Sequence, residues 1–167
     1  INLKDKTAMD IGASTGGFTD CMLQRGAKKI YCIDVGYGQL AWKLIQDKRV
    51  IVLDRTNIRF LEREKIPEEV DIAVIDVSFI SLLTVILKAI EFLKKGGEIV
   101  ALIKPQFEVG KGEVGKGGIV KDESLRLRAI EKVKKGFEDA GLFITGVMKS
   151  PITGQKGNVE YLIYCKT

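Results

Sequence analysis

The feature that most constrains the fold is a regular alternation of short apolar runs with longer amphipathic stretches. Runs of strand length occupy residues 8–12, 29–35, 50–53, 71–76 and 98–103. Because stretches of helical length separate most of these runs, the pattern predicts a parallel sheet with helices on both faces. Two further strands are expected at 142–148 and 160–165. Only about a dozen residues join them, too few for a helical crossover, so one of the pair should run antiparallel.

Helices are expected in the intervals between the strands. Residues 17–24 and 39–46 suit two short helices, and apolar residues recur at helical spacing between 82 and 93. The pair Gly96-Gly97 should end that third helix. Asp122 is the expected N-cap of a fourth helix. The buried side of the fourth helix should carry Leu127, Ile130, Phe137 and Ala140.

Together these elements predict a single domain over residues 1–167. Its fold class is α/β, a mostly parallel, doubly wound, Rossmann-like sheet of about seven strands with an antiparallel strand near the C-terminus. Apolar residues make up 46% of the chain and charged residues 29%, the proportions of an ordinary globular protein. Because the chain begins with Ile1 rather than Met, we expect it to be a fragment of a longer protein.

What the chain lacks excludes several classes of function. It contains no histidine, which removes His-based triads and His–zinc sites. Cys21, Cys32 and Cys165 form no Cys-x-x-Cys pair, so we expect buried thiols in a reducing cytoplasm and predict neither disulfide nor metal site. No apolar run approaches the roughly 18 residues of a membrane span, and no secretory leader is visible. The net charge of +5 suits a nucleic-acid partner or an ordinary solvated surface.

A glycine-rich turn follows the first strand and has the composition of a nucleotide-cofactor site. Gly12 and Gly16 would remove side chains where the backbone passes close to a ligand. Asp34 ends the second strand about 20 residues later, where a carboxylate can bind ribose hydroxyls or simply form a turn. The cofactor-binding residues predicted in the turn itself are Asp10, Gly12, Ala13, Ser14, Gly16, Gly17 and Phe18.

The glycine spacing favours S-adenosylmethionine over NAD as the cofactor. A dinucleotide fold requires Gly-x-Gly-x-x-Gly, so that a pyrophosphate can lie on the helix N-terminus. Here Ser14 occupies the second glycine position. The carboxylate of Asp10 would repel a pyrophosphate but attract the ammonium group of S-adenosylmethionine. The segment Asp54-Arg55-Thr56-Asn57 follows the third strand at the same edge, where one of its polar side chains or amides would contact adenine or the segment would form a capped turn. Its first three residues are included among the predicted cofactor-binding residues.

Three charged residues, Asp76, Lys104 and Glu160, are predicted to form the catalytic centre. Asp76 ends the fourth strand, Lys104 ends the fifth and Glu160 opens the last. Because these strands should be neighbours, their side chains would meet at one edge of the sheet, where Asp76 would also contact the cofactor. A carboxylate buried there is unfavourable unless it is paired, so a purely structural ion pair is the alternative interpretation.

Six sequence blocks follow one another along the chain. They are D-I-G-A-S-T-G-G-F-T-D, D-V-G-Y-G-Q-L-A-W-K-L, V-I-D-V-S-F-I-S-L, L-I-K-P-Q-F-E, V-G-K-G-G-I-V and S-P-I-T-G-Q-K-G-N-V-E-Y. In this order they resemble the TlyA family of bacterial ribosomal RNA methyltransferases, which were long labelled haemolysins and are related to the FtsJ-type enzymes. The resemblance covers essentially the whole chain. It implies S-adenosylmethionine-dependent methylation of the ribose 2′-hydroxyl of cytidine in ribosomal RNA.

The resemblance also implies a Lys-Asp-Lys-Glu tetrad, whose last three members match Asp76, Lys104 and Glu160. The family's first lysine lies upstream of the glycine turn, and Lys4 and Lys6 are too close to the first strand to match it. The family's N-terminal RNA-binding domain of the S4 type is absent from these residues, so the chain matches the catalytic domain alone. We hypothesise that Lys104 is the base and needs a second cation nearby, because Asp76 alone would favour its ammonium form.

RNA contacts are predicted for four lysines, Lys111, Lys116, Lys121 and Lys156. The first two lie in the glycine-rich segment 105–120, a long loop that is either functional or a disordered surface excursion. The lysines would bind RNA phosphates or form a solvated surface. Two other functions stay open. One is a methyltransferase acting on a non-RNA substrate, and the other is a membrane-active haemolysin, for which no spanning segment is visible.

Overall fold

Seven β-strands and five α-helices make up the described part of the chain. The structure is a computed structural model and describes all 167 residues apart from the side chain of Gln155. The strands are β1 Thr7–Ile11, β2 Lys29–Ile33, β3 Val50–Leu53, β4 Val70–Ile75, β5 Leu93–Ile103, β6 Phe143–Lys149 and β7 Tyr161–Lys166. The helices are α1 Gly17–Gln24, α2 Trp42–Ile45, α3 Leu82–Ile90, α4 Pro105–Glu108 and α5 Glu123–Asp139.

All seven strands form one sheet in the order β3-β2-β1-β4-β5-β7-β6. Strands β1 to β5 pair in parallel, and β7 runs antiparallel to both of its neighbours. The predicted α/β sheet with one reversed strand near the C-terminus is confirmed. The strand order reverses between β1 and β4, and ligands of doubly wound folds bind at the carboxyl edge beside such a reversal.

Helices cover the sheet on both faces, and each face has its own apolar core. On one face, α1 contributes Met22 and Leu23, which pack with Ile30 and Ile72 of the strands. On the other face, α3 and α5 bury residues such as Ile86 and Phe137 against the sheet. Because the central strands are buried on both faces, they are nearly all apolar, which explains their continuous apolar runs.

The end of the third helix and the start of the fifth strand differ from the prediction. Helix α3 ends at Ile90, and β5 begins at Leu93 rather than at residue 98. Gly96 and Gly97 therefore lie inside the strand, not at the helix end. Leu93 pairs with Val70, and a register shift then absorbs the extra residues before Glu98. The apolar spacing was misleading because Leu93 is buried by the sheet rather than by the helix.

Smaller differences concern individual side chains. Asp122 is the N-cap of α5 and accepts a hydrogen bond from the Ser124 amide at 2.8 Å, as predicted. Leu127 is 53% exposed, however, and the buried face of α5 is formed by Ala129, Ile130, Val133 and Phe137. Cys21 is only partly buried, whereas Cys32 and Cys165 are buried as expected. No helix in the described residues is long and apolar enough to span a membrane.

Candidate active site

Two cavities meet at the carboxyl edge of the parallel strands. The first has a volume of about 430 Å³, which suits a nucleotide-sized ligand, and lies over the ends of β1, β2 and β4. The second has a volume of about 380 Å³ and lies over the ends of β4 and β5 and the start of β7. Asp76, Ser78 and Phe79 line both cavities. A group bound in one cavity is therefore adjacent to a group bound in the other.

The first cavity contains four of the predicted cofactor-binding residues, Gly12, Ser14, Asp34 and Asp76. Asp34 shapes the turn around it. Its Oδ2 accepts a hydrogen bond from the Ser14 amide at 2.8 Å, and its Oδ1 accepts one from the Gly36 amide at 2.7 Å. The carboxylate is half-buried and faces the cavity, so its remaining lone pairs can accept hydrogen bonds from hydroxyl groups of a ligand.

The packing of the protein itself gives a further reason for glycine at two positions of the turn, Gly12 and Gly16. Gly12 has φ of 83°, and a Cβ at that position would lie 2.9 Å from the Asp76 carbonyl carbon and closer still to its oxygen. Gly16 has φ of 94°, and a Cβ there would overlap the side chain of Leu44. The backbone at both positions thus passes close to other parts of the protein, and Gly12 also lines the first cavity. Positive φ favours glycine at both positions, and at position 12 the backbone carbonyl of Asp76, at the end of the neighbouring strand β4, also leaves no room for a Cβ.

The remaining residues predicted from the turn lie outside the cavity wall. Ala13 and Phe18 pack into the apolar core beneath α1, and Gly17 is the first residue of that helix. Asp10 is 1% exposed and lies within β1, where its Oδ2 accepts a hydrogen bond from Thr19 Oγ1 at 2.6 Å. Its Oδ1 is buried without a hydrogen-bond partner among the described residues.

Replacing Asp10 with asparagine should stabilise the domain at neutral pH but not in acid. Burial raises the pKa of Asp10 from 3.8 to about 6, although the hydrogen bond from Thr19 opposes this. Because the folded-state pKa lies above the unfolded value, the group's contribution to stability is fully present below roughly pH 4 and is lost as the pH rises through 6. Above pH 6 the charged carboxylate should cost about 3 kcal/mol, which Asp10→Asn removes. Urea unfolding at roughly pH 4 and pH 8 measures this difference, and equal stabilities of variant and wild type at the higher pH would refute it.

The segment after β3 reaches the first cavity at its C-terminal end. Asn57 and Ile58 line the first cavity, whereas Asp54, Arg55 and Thr56 do not. Asp54 accepts a hydrogen bond from the Gly38 amide at 2.9 Å, and the Arg55 guanidinium lies 4.3 Å from the centre of the Tyr37 ring. These three residues form the turn that holds Asn57 in place, which is the capped-turn alternative.

The second cavity brings together the three predicted catalytic residues, Asp76, Lys104 and Glu160. Nζ of Lys104 lies 2.6 Å from Oδ1 of Asp76, as an ion pair without hydrogen-bond alignment. The same nitrogen donates a hydrogen bond to Ser78 Oγ at 3.0 Å. Only 13% of the Lys104 side chain is exposed. The ammonium group is therefore held in one position at the boundary between the cavities.

Glu160 closes the far side of this group of charges. Its side chain is buried, and its Oε1 accepts a hydrogen bond from Gln106 Nε2 at 3.3 Å. Burial raises the pKa of Glu160 above its ordinary value of 4.5, and Asp76 adds to this rise, while Gln106 and Lys104 oppose it. Glu160 consequently binds a proton more readily than an exposed glutamate does.

The predicted RNA-binding lysines surround the second cavity unevenly. Lys156 lines it, whereas Lys111, Lys116 and Lys121 are exposed on or beside the glycine-rich loop that forms one of its walls. That loop is held by Asn158, whose Nδ2 donates to the Gly118 carbonyl at 2.9 Å and whose Oδ1 accepts from the Val120 amide at 3.1 Å. These two bonds anchor the C-terminal end of the loop to the connection before β7.

Several residues of the site were missed by the sequence prediction. In the first cavity they include Gln39, and in the second they include Ser78, Phe79 and Gln106. Ser78, Phe79 and Gln106 fall within the blocks V-I-D-V-S-F and L-I-K-P-Q-F-E. Their closeness in sequence to Asp76 and Lys104 could have identified them as residues of the site. Phe79 is the most conspicuous of them, since it is 88% exposed and has φ of 64°.

The chain matches the model of a known family along its full length. That model, the FtsJ-like methyltransferase, covers residues 1–167. The chain is 48% identical to the 16S/23S rRNA (cytidine-2′-O)-methyltransferase TlyA of Mycobacterium tuberculosis, over 100% of this chain and 62% of that protein. It therefore spans about three fifths of the length of this relative.

Solved structures show the same fold. A proposed hemolysin from Streptococcus thermophilus matches with a TM-score of 0.97 and 43% identity, over 100% of this chain and 61% of that one. An S-adenosylmethionine dependent methyltransferase from Mesorhizobium loti matches with a TM-score of 0.73 and 11% identity, over 100% of this chain and 93% of the other, and this likeness concerns the fold alone. With its sheet order, its paired cavities and the full-length family match, the chain belongs to the FtsJ-like methyltransferase family.

Proposed function

We propose that this chain is the catalytic domain of an S-adenosylmethionine-dependent RNA methyltransferase that modifies the ribose 2′-hydroxyl of cytidine in ribosomal RNA. The observation that carries the proposal is the position of Asp76 between two cavities, with Asp34 in one and Lys104 and Glu160 in the other. A transfer reaction needs its donor and acceptor sites to adjoin in this way. The name of the Mycobacterium tuberculosis relative supports the choice of RNA and of cytidine.

The first cavity fits S-adenosylmethionine by the chemistry of its wall. Asp34 would accept hydrogen bonds from the ribose hydroxyls. Asn57 and the apolar Ile33 and Ile58 would contact the adenine. Gly12 and Asp76 would flank the amino-acid end, since both lie where β1 and β4 end. When bound, the cofactor supplies a methyl group on a positively charged sulfur. A carboxylate at Asp76 is suited to that charge.

The second cavity would hold the ribose and the base. Lys104 and Glu160 both line this cavity, where a 2′-hydroxyl would hydrogen-bond to them, and Asp76 pairs with the lysine. Removal of the hydroxyl proton would fall to Lys104, the hypothesised base, or to Glu160, whose pKa burial raises above its ordinary value. The exposed ring of Phe79 offers a surface on which an unstacked base can lie.

Lysines of the glycine-rich loop should contribute to RNA affinity through phosphates. Replacing Lys111, Lys116 and Lys121 together with alanine should weaken RNA binding and flatten its dependence on salt, by about 0.7 in log–log slope for each phosphate that is no longer neutralised. The matched control replaces the exposed Lys48, Lys95 and Lys135, which lie on other surfaces. Fluorescence titrations at several salt concentrations measure both slopes. Identical slopes for the two triple variants would show that the loop lysines are only solvated.

The proposed function is tested by methyl transfer to RNA. The 167-residue chain and the complete gene product are incubated with labelled S-adenosylmethionine and unmodified ribosomal subunits, and the RNA is digested to nucleosides. We expect 2′-O-methylcytidine, and we expect S-adenosylmethionine but not NAD to bind in calorimetric titration. Cofactor binding with methyl groups appearing only on protein or small molecules would favour a non-RNA substrate instead. We also propose that the reaction is cytoplasmic, which agrees with the free thiols of Cys21, Cys32 and Cys165.

A further inference from the structure

Glu108 is a buried carboxylate at the end of α4, outside both cavity walls. Its side chain is 1% exposed, although residues that flank α4 in the sequence line the second cavity or are exposed to solvent. Oε1 accepts a hydrogen bond from the backbone amide of Leu82 at 2.8 Å, and Oε2 accepts one from Ser81 Oγ at 2.7 Å. A charge buried this deeply persists only where such partners are supplied.

The partners of Glu108 belong to the N-terminus of α3. Ser81 is the N-cap of that helix, and its Oγ also accepts a hydrogen bond from the Leu83 amide at 3.2 Å. Glu108 therefore satisfies a free amide of the first turn, at the end of the helix where a negative charge is most stabilising. The bond is charge-assisted and joins residues far apart in sequence, so it fixes α4 relative to α3.

A third helix holds Glu108 from the other side. Nζ of Lys132, on α5, donates a hydrogen bond to the Glu108 carbonyl oxygen at 2.6 Å and lies 3.6 Å from the carboxylate Oε2. Because Lys132 binds both the backbone and the side chain, the end of α4 is held against α5 while its carboxylate reaches α3. Glu108 is thus the point at which α3, α4 and α5 are joined.

The two segments that this contact joins are those that carry the active-site residues. Residues 76–80 lead directly into α3, and Lys104 is the N-cap of α4. These two segments also contact each other directly. Lys104 contacts Asp76, and the ring centroids of Phe79 and Phe107 lie 5.1 Å apart. The separation of the two segments therefore sets the distance between the residues of the donor side and those of the acceptor side.

We propose that Glu108 is a positioning residue that holds the segment 76–80 and the segment 104–107 at the separation required for methyl transfer. The proposal rests on the proposed function, and it names a residue that touches neither cofactor nor RNA. Glu108 acts through Ser81 and Leu82 on one segment and through α4 on the other. Removing it should leave the two cavities intact individually but loosen their alignment, which a transfer reaction tolerates poorly.

Kinetics of two Glu108 variants separate positioning from general stability. In Glu108→Ala we expect kcat for RNA methylation to fall by about tenfold or more, while KM for RNA and Kd for S-adenosylmethionine stay within about threefold. Glu108→Gln should recover most of the rate, because its amide oxygen can still accept from the Leu82 amide. Glu131→Ala, which removes an exposed glutamate of α5, is the control and should behave as wild type. An unchanged kcat in folded Glu108→Ala would overturn the proposal.

Hydrogen exchange tests the same contact without any assay of activity. We expect peptides covering residues 76–83 and 105–109 to lose protection together in Glu108→Ala, while peptides of β1 keep theirs. Unchanged exchange in both segments, or an equal loss throughout the domain, would refute the positioning role. If the wild-type gene product methylates no RNA, the proposed function fails, and the exchange result still decides whether Glu108 joins the two segments.

Discussion

Replacing Lys104 with methionine should reduce methyl transfer by roughly a thousandfold and leave the fold intact. Methionine has a similar length and tolerates the largely buried surroundings of the lysine, but it cannot donate to Ser78 or pair with Asp76. The variant thus removes the amino group that pairs with Asp76 and lines the second cavity together with Glu160. Single-turnover rates with saturating cofactor and RNA measure the loss.

The control for this variant is Lys135→Met, an exposed lysine of α5 on a surface away from the site. Its rate should equal that of wild type. Binding of S-adenosylmethionine should also persist in Lys104→Met, because Lys104 is not part of the first cavity. A Lys104→Met protein that retained more than about a tenth of the rate would exclude Lys104 from proton transfer and from orientation of the hydroxyl.

The second large effect is expected for Gly12→Ala, which should destabilise the domain by about 3 kcal/mol or more. The backbone at Gly12 has φ of 83°, which an alanine adopts only with strain. In addition, the new Cβ would overlap the carbonyl group of Asp76, and that group can move only if the end of β4 moves. Urea unfolding followed by circular dichroism measures the change in the free energy of unfolding.

Gly17→Ala is the matched control, because it lies in the same turn and a Cβ there meets no atom within 4 Å. Its φ is also outside the left-handed region. We expect a change of less than about 0.5 kcal/mol, or a slight gain from alanine's higher helix propensity. If both variants showed the same decrease in stability, the overlap with Asp76 would not be the reason that position 12 is glycine.

Most of the fold was predictable because each central strand is buried on both faces and is bounded by polar turns. The short connection between β6 and β7 also revealed that the last strand is reversed. The error at Leu93 has a clear origin, since spacing alone cannot tell a helix residue from a strand residue when both are buried. Helix α4 was not expected either, because Lys104 and Pro105 start it within a segment that otherwise has loop composition.

The meeting of the three charged residues was predictable from topology, whereas the shape of the cofactor site was not. Asp76, Lys104 and Glu160 meet because their strands are neighbours, and neighbouring strand ends share an edge. Which residues after β3 face the cavity depends on a turn in which Arg55 has φ of 52°. A left-handed conformation at a non-glycine residue leaves little trace in sequence, so Asn57 could not be distinguished from its neighbours.

The reversed direction of β7 divides the site between two parts of the chain. The parallel strands place their C-terminal ends at the edge of the sheet where the two cavities lie. Because β7 runs in the opposite direction, it places its N-terminal end at this edge, and the connection from β6 therefore lies over the second cavity. The first cavity is built by residues before 86, and the second cavity draws most of its wall from residues after 101. The connection before β7 shares no lining residue with the first cavity and can vary independently of it, whereas the connection after β5 cannot, because its Lys104 pairs with Asp76 and its Glu108 binds Ser81 and Leu82.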